Sequence, residues 1–192
     1  MIFIIYEDDI EKSLEALNRG GVILYPTDTV WGIGCDATNR AAVERIYAIK
    51  RRSEAQALLT LVSDTDMLAV YAGEVPNVAL RLMEEATKPL SIVYPNAKNL
   101  AENLIAADGS TGIRIVGDPF CRRLIKEFGK PIVSTSANIS GAPAPAIFDE
   151  ISDEIKAAVD YIVHWRQDDR QPATASSIIK LNKDGNYTII RN

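Results

Sequence analysis

The sequence has few of the side chains that most often carry covalent or metal chemistry. Its 192 residues include one histidine, His164, and two cysteines, Cys35 and Cys121. These counts exclude a clustered His/Cys zinc site, a CxxC redox centre and a disulfide framework. A Ser-His-Asp or Cys-His mechanism would depend on His164 alone. We interpret His164 as a partly buried residue at a strand end and both cysteines as small apolar packing residues.

A basic excess and a long apolar run are also missing. The formal net charge of −5 and the isoelectric point near 5.0 argue against a protein built for non-specific nucleic-acid binding. Net charge averages over the surface, so these values do not exclude a local basic groove. No apolar stretch approaches the ~20 residues of a membrane helix. The N-terminal MIFIIYEDDI lacks the positive charge of a signal peptide. We therefore expect a cytoplasmic protein without a membrane contact.

The length and composition predict one domain over residues 1–192, since 47% of the residues are hydrophobic and 24% are charged. Apolar runs alternate with segments of helical spacing and end in an antiparallel pair, which predicts an α/β fold with a mixed sheet. Strands are predicted at Met1–Tyr6, Val22–Tyr25, Ala57–Val62, Leu90–Tyr94, Gly112–Val116, Pro131–Ser134, Val159–Val163, Ser176–Leu181 and Tyr187–Arg191. Helices are expected between them, with Pro76 and Pro119 at first helical positions.

Three polar segments could carry chemistry, and two of them follow apolar strands, where open α/β sheets place their ligands. The first runs from Tyr25 to Ala37, YPTDTVWGIGCDA. A turn capped by its threonines and aspartate, with glycines that avoid steric clashes, explains this segment at least as well as a ligand-binding loop does. The spacing matches no nucleotide fingerprint. By pattern alone, Thr27–Asp36 is predicted as a loop.

The second segment, Lys50-Arg51-Arg52, ends a predicted helix. Cations there complement the helix dipole, which is sufficient explanation for most such clusters. The alternative is a phosphate clamp, because Lys50 and Arg52 can point the same way in an extended segment. Arg114 in the strand GIRIV would extend that clamp into a polyanion site.

The third segment, PIVSTSANISG, begins at Pro131 and is unusually dense in hydroxyl and amide side chains. Capping and an Asx turn account for two of them. The others suit hydrogen bonds to phosphate oxygens or to the polar groups of an amino acid. No base stands beside these serines, so a covalent serine mechanism has little support.

Together these segments resemble the YrdC-like family, the threonylcarbamoyl-AMP synthases. The similar stretches occur in the family's order and are PTDTVWGIGCDA, IKRRSEAQALLTLV, TKPLSIVYP, GSTGIRIV and PIVSTSANISG, with weaker echoes in SSIIKL and IIRN. The chain stops at Asn192 and so resembles the single-domain bacterial form. The resemblance implies a twisted, open mixed sheet with flanking helices and a large concave cationic cleft.

The resemblance also implies an activity. Members of the family condense L-threonine, bicarbonate and ATP, with Mg²⁺ accompanying the nucleotide, into threonylcarbamoyl-AMP and pyrophosphate. The adenylate passes to a tRNA threonylcarbamoyl-transferase complex that modifies tRNAs reading codons that begin with A. Nucleotidyl transfer depends mainly on positioning and charge neutralisation, so a site without histidine can support it.

Individual positions follow from the resemblance. Lys50 and Arg52 are the implied catalytic residues at the nucleotide phosphates. Threonine is expected at Thr29, Arg114, Ser134 and Ser176, and ATP at Lys50, Arg52, Gln56, Ser110, Ser136, Asn138 and Arg191. Ser53 stands where many members have proline, and Gln56-Ala57 where many have Asn-Pro, which leaves the Gln56 contact open.

Two other functions compete with the synthase. One is a double-stranded RNA-binding or ribosome-maturation module that uses the same cationic cleft. The sequence does not exclude a weak contact with RNA. The acidic balance and the lack of interleaved aromatic and basic residues count against it. The other is a carbamoyl-adenylating domain like that of hydrogenase-maturation carbamoyltransferases, which would bring zinc-finger and acylphosphatase-like segments that this chain lacks.

Overall fold

The computed structural model describes residues 2–54, 58–182 and 185–192, with side chains from residue 6 onward. In these ranges the helices are α1 (Ile2–Asn18), α2 (Arg40–Lys50), α3 (Thr65–Tyr71), α4 (Asn77–Glu85), α5 (Pro119–Phe128) and α6 (Asp153–Ala158). The strands are β1 (Ile23–Tyr25), β2 (Gly32–Gly34), β3 (Leu59–Val62), β4 (Leu90–Tyr94), β5 (Thr111–Ile115), β6 (Ile132–Ser136), β7 (Tyr161–Ile162), β8 (Ser177–Leu181) and β9 (Tyr187–Arg191).

These strands form one open mixed sheet, in the order β7-β1-β2-β6-β3-β5-β4-β8-β9. The pairs β1–β7, β3–β5 and β4–β8 are parallel, and the others are antiparallel. In the described residues, β7 and β9 are the two edges and do not close on each other. The predicted open mixed α/β sheet with flanking helices is confirmed.

The N-terminal segment is a helix, and the strand predicted at Met1–Tyr6 is wrong. Helix α1 begins at Ile2, and Met1 lies outside the described residues. Tyr6 makes edge contacts with Phe120 and Trp165, and Ile10 is buried one turn further on. Tyr6, Ile10, Leu14 and Leu17 recur at three-to-four spacing and pack in one cluster, so the segment continues into a long amphipathic helix.

The segment predicted as the loop Thr27–Asp36 contains strand β2, which pairs with β1 and β6. A side chain at Gly34 would place its Cβ 2.2 Å from the Val133 carbonyl oxygen and 2.8 Å from the Tyr25 ring. The glycine therefore lets the neighbouring backbone come close. Sequence patterning missed the strand because glycines carry no hydrophobic period.

The helices cover the two faces of the sheet unequally. On the face we call the front face, which carries Tyr25, Leu61 and Ile132, α1 and α5 build a buried apolar cluster. On the back face, α2 packs against Leu24 and its neighbours, while α3 and α4 pack over the β3–β5–β4–β8 half. Among the described residues, the buried front cluster takes none from β4, β8 or β9. The front of these strands is therefore left for a ligand.

Most other predicted elements lie within two residues of their predicted bounds. Pro119 stands at the first position of α5, behind the N-cap Asp118, as predicted, whereas Pro76 is the N-cap of α4 and not its first helical residue. β8 and β9 pair antiparallel, as the hairpin signal Asp184-Gly185 predicted, although Asp184 itself lies outside the described residues. Among the described helices, none has the length and apolarity needed to cross a membrane.

The close approach at Gly34 generates a stability prediction. We expect Gly34→Ala to lower the free energy of unfolding by about 2 kcal/mol or more, because its Cβ would collide with backbone that cannot move away alone. Urea unfolding measures the change. Gly112→Ala is the matched control, since its Cβ would meet only the ends of the Leu59 and Val93 side chains, at 3.3 and 3.9 Å. Equal losses for the two variants would contradict the prediction.

Candidate active site

A cavity of about 240 Å³ opens on the front face, where the sheet has no helix over it. It brings together seven residues that were predicted for the site: Thr29, Arg52, Arg114, Ser134, Ser136, Ser176 and Arg191. Three of these are arginines, and none of the described residues that line the cavity is a carboxylate. The cavity is therefore suited to an anionic ligand.

The loop between β1 and β2 supplies a hydroxyl whose direction is fixed. The Thr27 hydroxyl donates to the Val30 carbonyl oxygen at 2.9 Å and accepts from the Thr29 backbone N–H at 3.0 Å. Its oxygen also lies 2.9 Å from the Thr29 hydroxyl. Since Thr27 has already donated its proton, Thr29 must be the donor in that contact. Thr29 thus turns oxygen lone pairs toward the site.

Arg114 is held almost fully buried at the floor of the cavity. Its Nη2 donates to Asp28 Oδ1 at 2.9 Å and to Thr29 Oγ1 at 3.3 Å. Asp28 Oδ2 accepts from the Gly117 backbone N–H at 2.8 Å, which ties the loop after β5 to the β1–β2 loop. The Arg114 Nε is buried and has no hydrogen-bond partner among the described residues. The Nη2 side of the guanidinium is therefore fixed by Asp28 and Thr29.

Lys50, at the end of α2, lies just outside the residues that line the cavity. Its Nζ donates to the carbonyl oxygens of Ser136 at 2.6 Å and Asn138 at 2.7 Å. The backbone N–H of Ser140 donates back to the Lys50 carbonyl oxygen at 2.9 Å. Burial, and secondarily the positive charge of Arg52, lowers the pKa of Lys50 to about 8. Lys50 thus binds the loop after β6 to the helix.

The loop after β6 has two kinds of predicted residue. Ser134 and Ser136 line the cavity. Asn138 does not: its Nδ2 donates to the carbonyl oxygens of Ile139 at 3.1 Å and Ala142 at 2.6 Å. The Asn138 side chain therefore shapes the loop.

The opposite wall is built from β4, β8 and the edge strand β9. The Ser91 and Ser176 hydroxyls lie 2.8 Å apart. Arg191 Nε donates to the Ser176 carbonyl oxygen at 2.9 Å, and its Nη2 reaches the Ser176 hydroxyl at 3.4 Å. The weakly supported Ser176 and Arg191 thus lie together at the cavity.

Ser110 and Gln56 are the remaining predicted ATP residues. Gln56 lies outside the described residues. Ser110 precedes β5 and is buried, with its hydroxyl donating to Asp108 Oδ1 at 2.5 Å. Asp28 and Ser91 were not predicted as site residues, although they lie inside the motifs PTDTVWGIGCDA and TKPLSIVYP. Their role became visible only through the partners that the fold brings to them.

The scarce residues of the sequence lie away from the cavity lining. Cys35 and Cys121 are fully buried, and burial raises the pKa of both thiols, so they are packing residues as predicted. His164 is 61% exposed in its side chain and contacts the buried Asp9, whose oxygens also accept the backbone N–H groups of His164 and Trp165. The described cavity lining therefore contains neither imidazole nor thiol.

The buried ammonium of Lys50 generates a pH prediction. Its pKa falls from 10.5 to about 8 on folding, so the unfolded chain binds more protons between these values. The free energy of unfolding should therefore gain a contribution that rises with pH from about 8 toward 10.5, with the cost of the buried charge fully present below that window. Denaturant titrations across this range should show the rise in the wild type and its loss in Lys50→Met. Lys98→Met, at an exposed lysine, is the control; a Lys50→Met protein that keeps the rise would contradict the assignment.

Comparison with known proteins agrees with this arrangement. The family Sua5_yciO_yrdC, described as telomere recombination, matches residues 15–192. A threonylcarbamoyl-AMP synthase of Pseudoalteromonas translucida (strain TAC 125) is 33% identical over 160 residues, which cover 82% of this chain and 86% of the relative.

Two solved structures share the fold. E. coli YciO superimposes with a TM-score of 0.80 at 25% identity, over 100% of this chain and 90% of YciO. Sua5 of P. abyssi, complexed with L-threonine, has a TM-score of 0.82 at 25% identity over 95% of this chain. This chain spans about half of that Sua5, 53% of its length. Because the family match extends over nearly the whole sequence, the chain belongs to the Sua5/YciO/YrdC family.

Proposed function

We propose that this chain is a nucleotidyltransferase of the threonylcarbamoyl-AMP synthase type, acting on L-threonine, bicarbonate and ATP. The observation that carries the proposal is the convergence of Arg52, Arg114 and Arg191 on one cavity in which no described lining residue is a carboxylate. Curated relatives named threonylcarbamoyl-AMP synthase, aligned over most of this chain, support the same activity.

The proposed reaction has two steps. The threonine amine attacks the carbon of bicarbonate, and loss of water leaves an anionic carbamate. A carbamate oxygen then attacks the α-phosphorus of ATP, and the bond to the bridging oxygen breaks as pyrophosphate leaves. The second step needs no histidine, because the attacking oxygen already carries negative charge. The protein's contribution is to position two anions against each other and to stabilise the charge on the phosphate oxygens.

We assign the threonine end of the cavity to Thr29, Arg114, Ser134 and Ser176. Arg114 is suited to a carboxylate, since its guanidinium is fixed by Asp28 and the residue lines the cavity. The Thr29 hydroxyl, which has given its own proton to Thr27, offers lone pairs to a donor such as an amine.

We assign the triphosphate to Arg52, Arg191 and Ser136, which line the same cavity. Lys50 and Asn138 act on ATP through the loop after β6, because their side chains are engaged by backbone carbonyl groups. Ser110 and Gln56 remain proposed ATP contacts.

Mg²⁺ is proposed to arrive with the nucleotide. The cavity lining offers hydroxyl and guanidinium groups, and no cluster of three or more His, Cys, Asp or Glu side chains in the described residues could hold a metal. The ion would thus be bound by phosphate oxygens, whose charge it neutralises. The proposed product, threonylcarbamoyl-AMP, is a mixed anhydride and would be consumed by a tRNA threonylcarbamoyl-transferase.

The proposed activity is tested by the products formed from ATP, threonine and bicarbonate. We expect pyrophosphate release that requires both threonine and bicarbonate, and a mass spectrum that contains threonylcarbamoyl-AMP. ATP turnover that is independent of threonine would refute the synthase. Salt-sensitive binding of duplex RNA without any turnover would instead support the RNA-binding alternative.

The arginines of the cavity generate a mutational prediction. Arg52→Ala should lower kcat/KM for ATP by at least about 30-fold, roughly 2 kcal/mol, because a charged donor to the phosphates is lost. Arg51→Ala is the matched control, since Arg51 is exposed and pairs with Glu154 outside the cavity lining. Pyrophosphate release measures both. If the two variants behave alike, Arg52 has no part in binding the phosphates.

A further inference from the structure

Arg166, which follows β7, combines a strained backbone with a side chain that is bound on two sides. Its φ is 67°, in the left-handed region that residues with a Cβ rarely adopt. Asp9 on α1 fixes the chain just before it, because the Asp9 carboxylate accepts the backbone N–H groups of His164 at 3.0 Å and of Trp165 at 2.7 Å. A left-handed conformation costs free energy and persists only where the surrounding contacts determine it. The contacts of the Arg166 guanidinium are among those that hold it.

The guanidinium of Arg166 joins the β1–β2 loop to the N-terminus of α5. Asp169 Oδ2 accepts from its Nε at 3.4 Å and from its Nη2 at 3.3 Å. The remaining nitrogen, Nη1, donates to the Thr27 carbonyl oxygen at 3.2 Å and to Oδ2 of Asp118, the N-cap of α5, at 3.0 Å. Both N–H groups of Nη1 are therefore engaged. Asp169 sets the plane of the guanidinium, and Nη1 holds the loop.

The bond to the Thr27 carbonyl acts on the residue that orients Thr29. The Thr27 hydroxyl accepts from the Thr29 backbone N–H and from the Thr29 hydroxyl. The carbonyl oxygen of Pro26, one residue earlier, accepts from the Cys121 thiol at 3.1 Å. Neither Cys121 nor Arg166 lines the cavity. Two consecutive carbonyl groups of the loop are thus held from outside the cavity lining, and Thr29 is presented to the cavity from this support.

Arg166 also lies near the start of a segment that ends at the cavity. Residues 163–176 connect β7, at one edge of the sheet, to β8, which is next to the opposite edge. Near the end of this segment, Ala175 and Ser176 line the cavity. The two cavity residues that Arg166 can influence, Thr29 through the loop and Ser176 through the segment, are both assigned to threonine.

We propose that Arg166 is a positioning residue for the threonine end of the cavity, which acts by holding the Thr27 carbonyl group and with it the direction of the Thr29 hydroxyl. The inference rests on the proposed function, in which Thr29 meets threonine. A loop that is ordered in advance binds its ligand more tightly, because binding does not have to order it. The triphosphate is assigned to Arg52 and Arg191, which belong to other elements, so the effect should be specific to threonine.

Arg166→Gly separates the side chain from the backbone, because glycine tolerates the left-handed conformation and only the guanidinium contacts are lost. In the threonine- and bicarbonate-dependent release of pyrophosphate, the KM for threonine should rise about tenfold, while the KM for ATP should stay within about twofold of the wild type. Arg166→Ala should raise the KM for threonine by a similar factor. It should also unfold at a lower urea concentration than Arg166→Gly, since alanine keeps the backbone strain.

Arg45→Ala is the matched control for Arg166→Ala. Arg45 likewise donates to a carboxylate, that of Asp160 at 2.9 Å, and to a backbone carbonyl, that of Gly20 at 3.5 Å, but it lies outside the cavity lining. It should leave the KM for threonine as in the wild type. An unchanged KM for threonine in Arg166→Gly would overturn the proposal. Equal increases in the KM values for threonine and ATP would overturn it too, because they would show a general loss of the folded site.

Hydrogen–deuterium exchange distinguishes failure of this proposal from failure of the synthase. Without any ligand, Arg166→Gly should speed exchange in residues 26–31 by about tenfold and leave residues 134–141 near the wild-type rate, because only the first loop loses a contact. If the wild type releases no threonine-dependent pyrophosphate, the synthase proposal fails, and the exchange pattern still decides whether Arg166 positions the loop. Unchanged exchange in residues 26–31 overturns the inference whatever the reaction.

Discussion

The site depends on one buried ammonium group. Lys50 Nζ is withdrawn from water, which would be costly without partners, and two backbone carbonyl groups of the loop after β6 provide them. The N–H of Ser140 returns a bond to the carbonyl of Lys50. Helix α2 and this loop are thereby locked together. Arg52 follows that helix and Ser136 belongs to that loop. The contacts of Lys50 therefore set the positions of both residues at the phosphate end of the cavity.

Unequal covering of the sheet decides where the site lies. The back face is packed by α2, α3 and α4, while α1 and α5 pack on the front only near β1, β3 and β6. The bare front of β5, β4 and β8 is flanked by the loops that follow β1 and β6. Strands β2 and β6 lie close together beside the site, because Gly34 lets the backbone of β6 approach. The glycines of the first motif thus serve packing of the sheet next to the site.

Apolar periodicity predicted the central strands and the α/β class, because buried strands such as β4 and β6 leave short apolar runs in the sequence. It failed at Met1–Tyr6, because a short uninterrupted apolar run does not distinguish a strand from the start of a helix, and at β2, where glycines have no period. The motifs contain seven predicted site residues that line the cavity, including Arg114 and Ser134. They could not predict that Lys50 faces carbonyl groups, because side-chain direction depends on which loop the fold places opposite it. Asp28 was missed for the same reason, because its role depends on the Arg114 guanidinium and the Gly117 N–H that the fold brings to it.

Hydrogen bonds within the protein fix which groups near the cavity donate to a ligand and which accept from it. Thr29 gives its hydroxyl proton to Thr27, and Ser110 gives its own to Asp108, so both present lone pairs. Arg114 and Arg191 can only donate. A ligand group rich in acceptors, such as a phosphate or a carboxylate, is therefore matched by guanidinium groups, whereas an amine is matched by hydroxyl oxygens. Asp28 fixes the Arg114 guanidinium and Asp108 fixes the Ser110 hydroxyl, and neither carboxylate is among the residues that line the cavity, so both orient their partners without facing a bound anion.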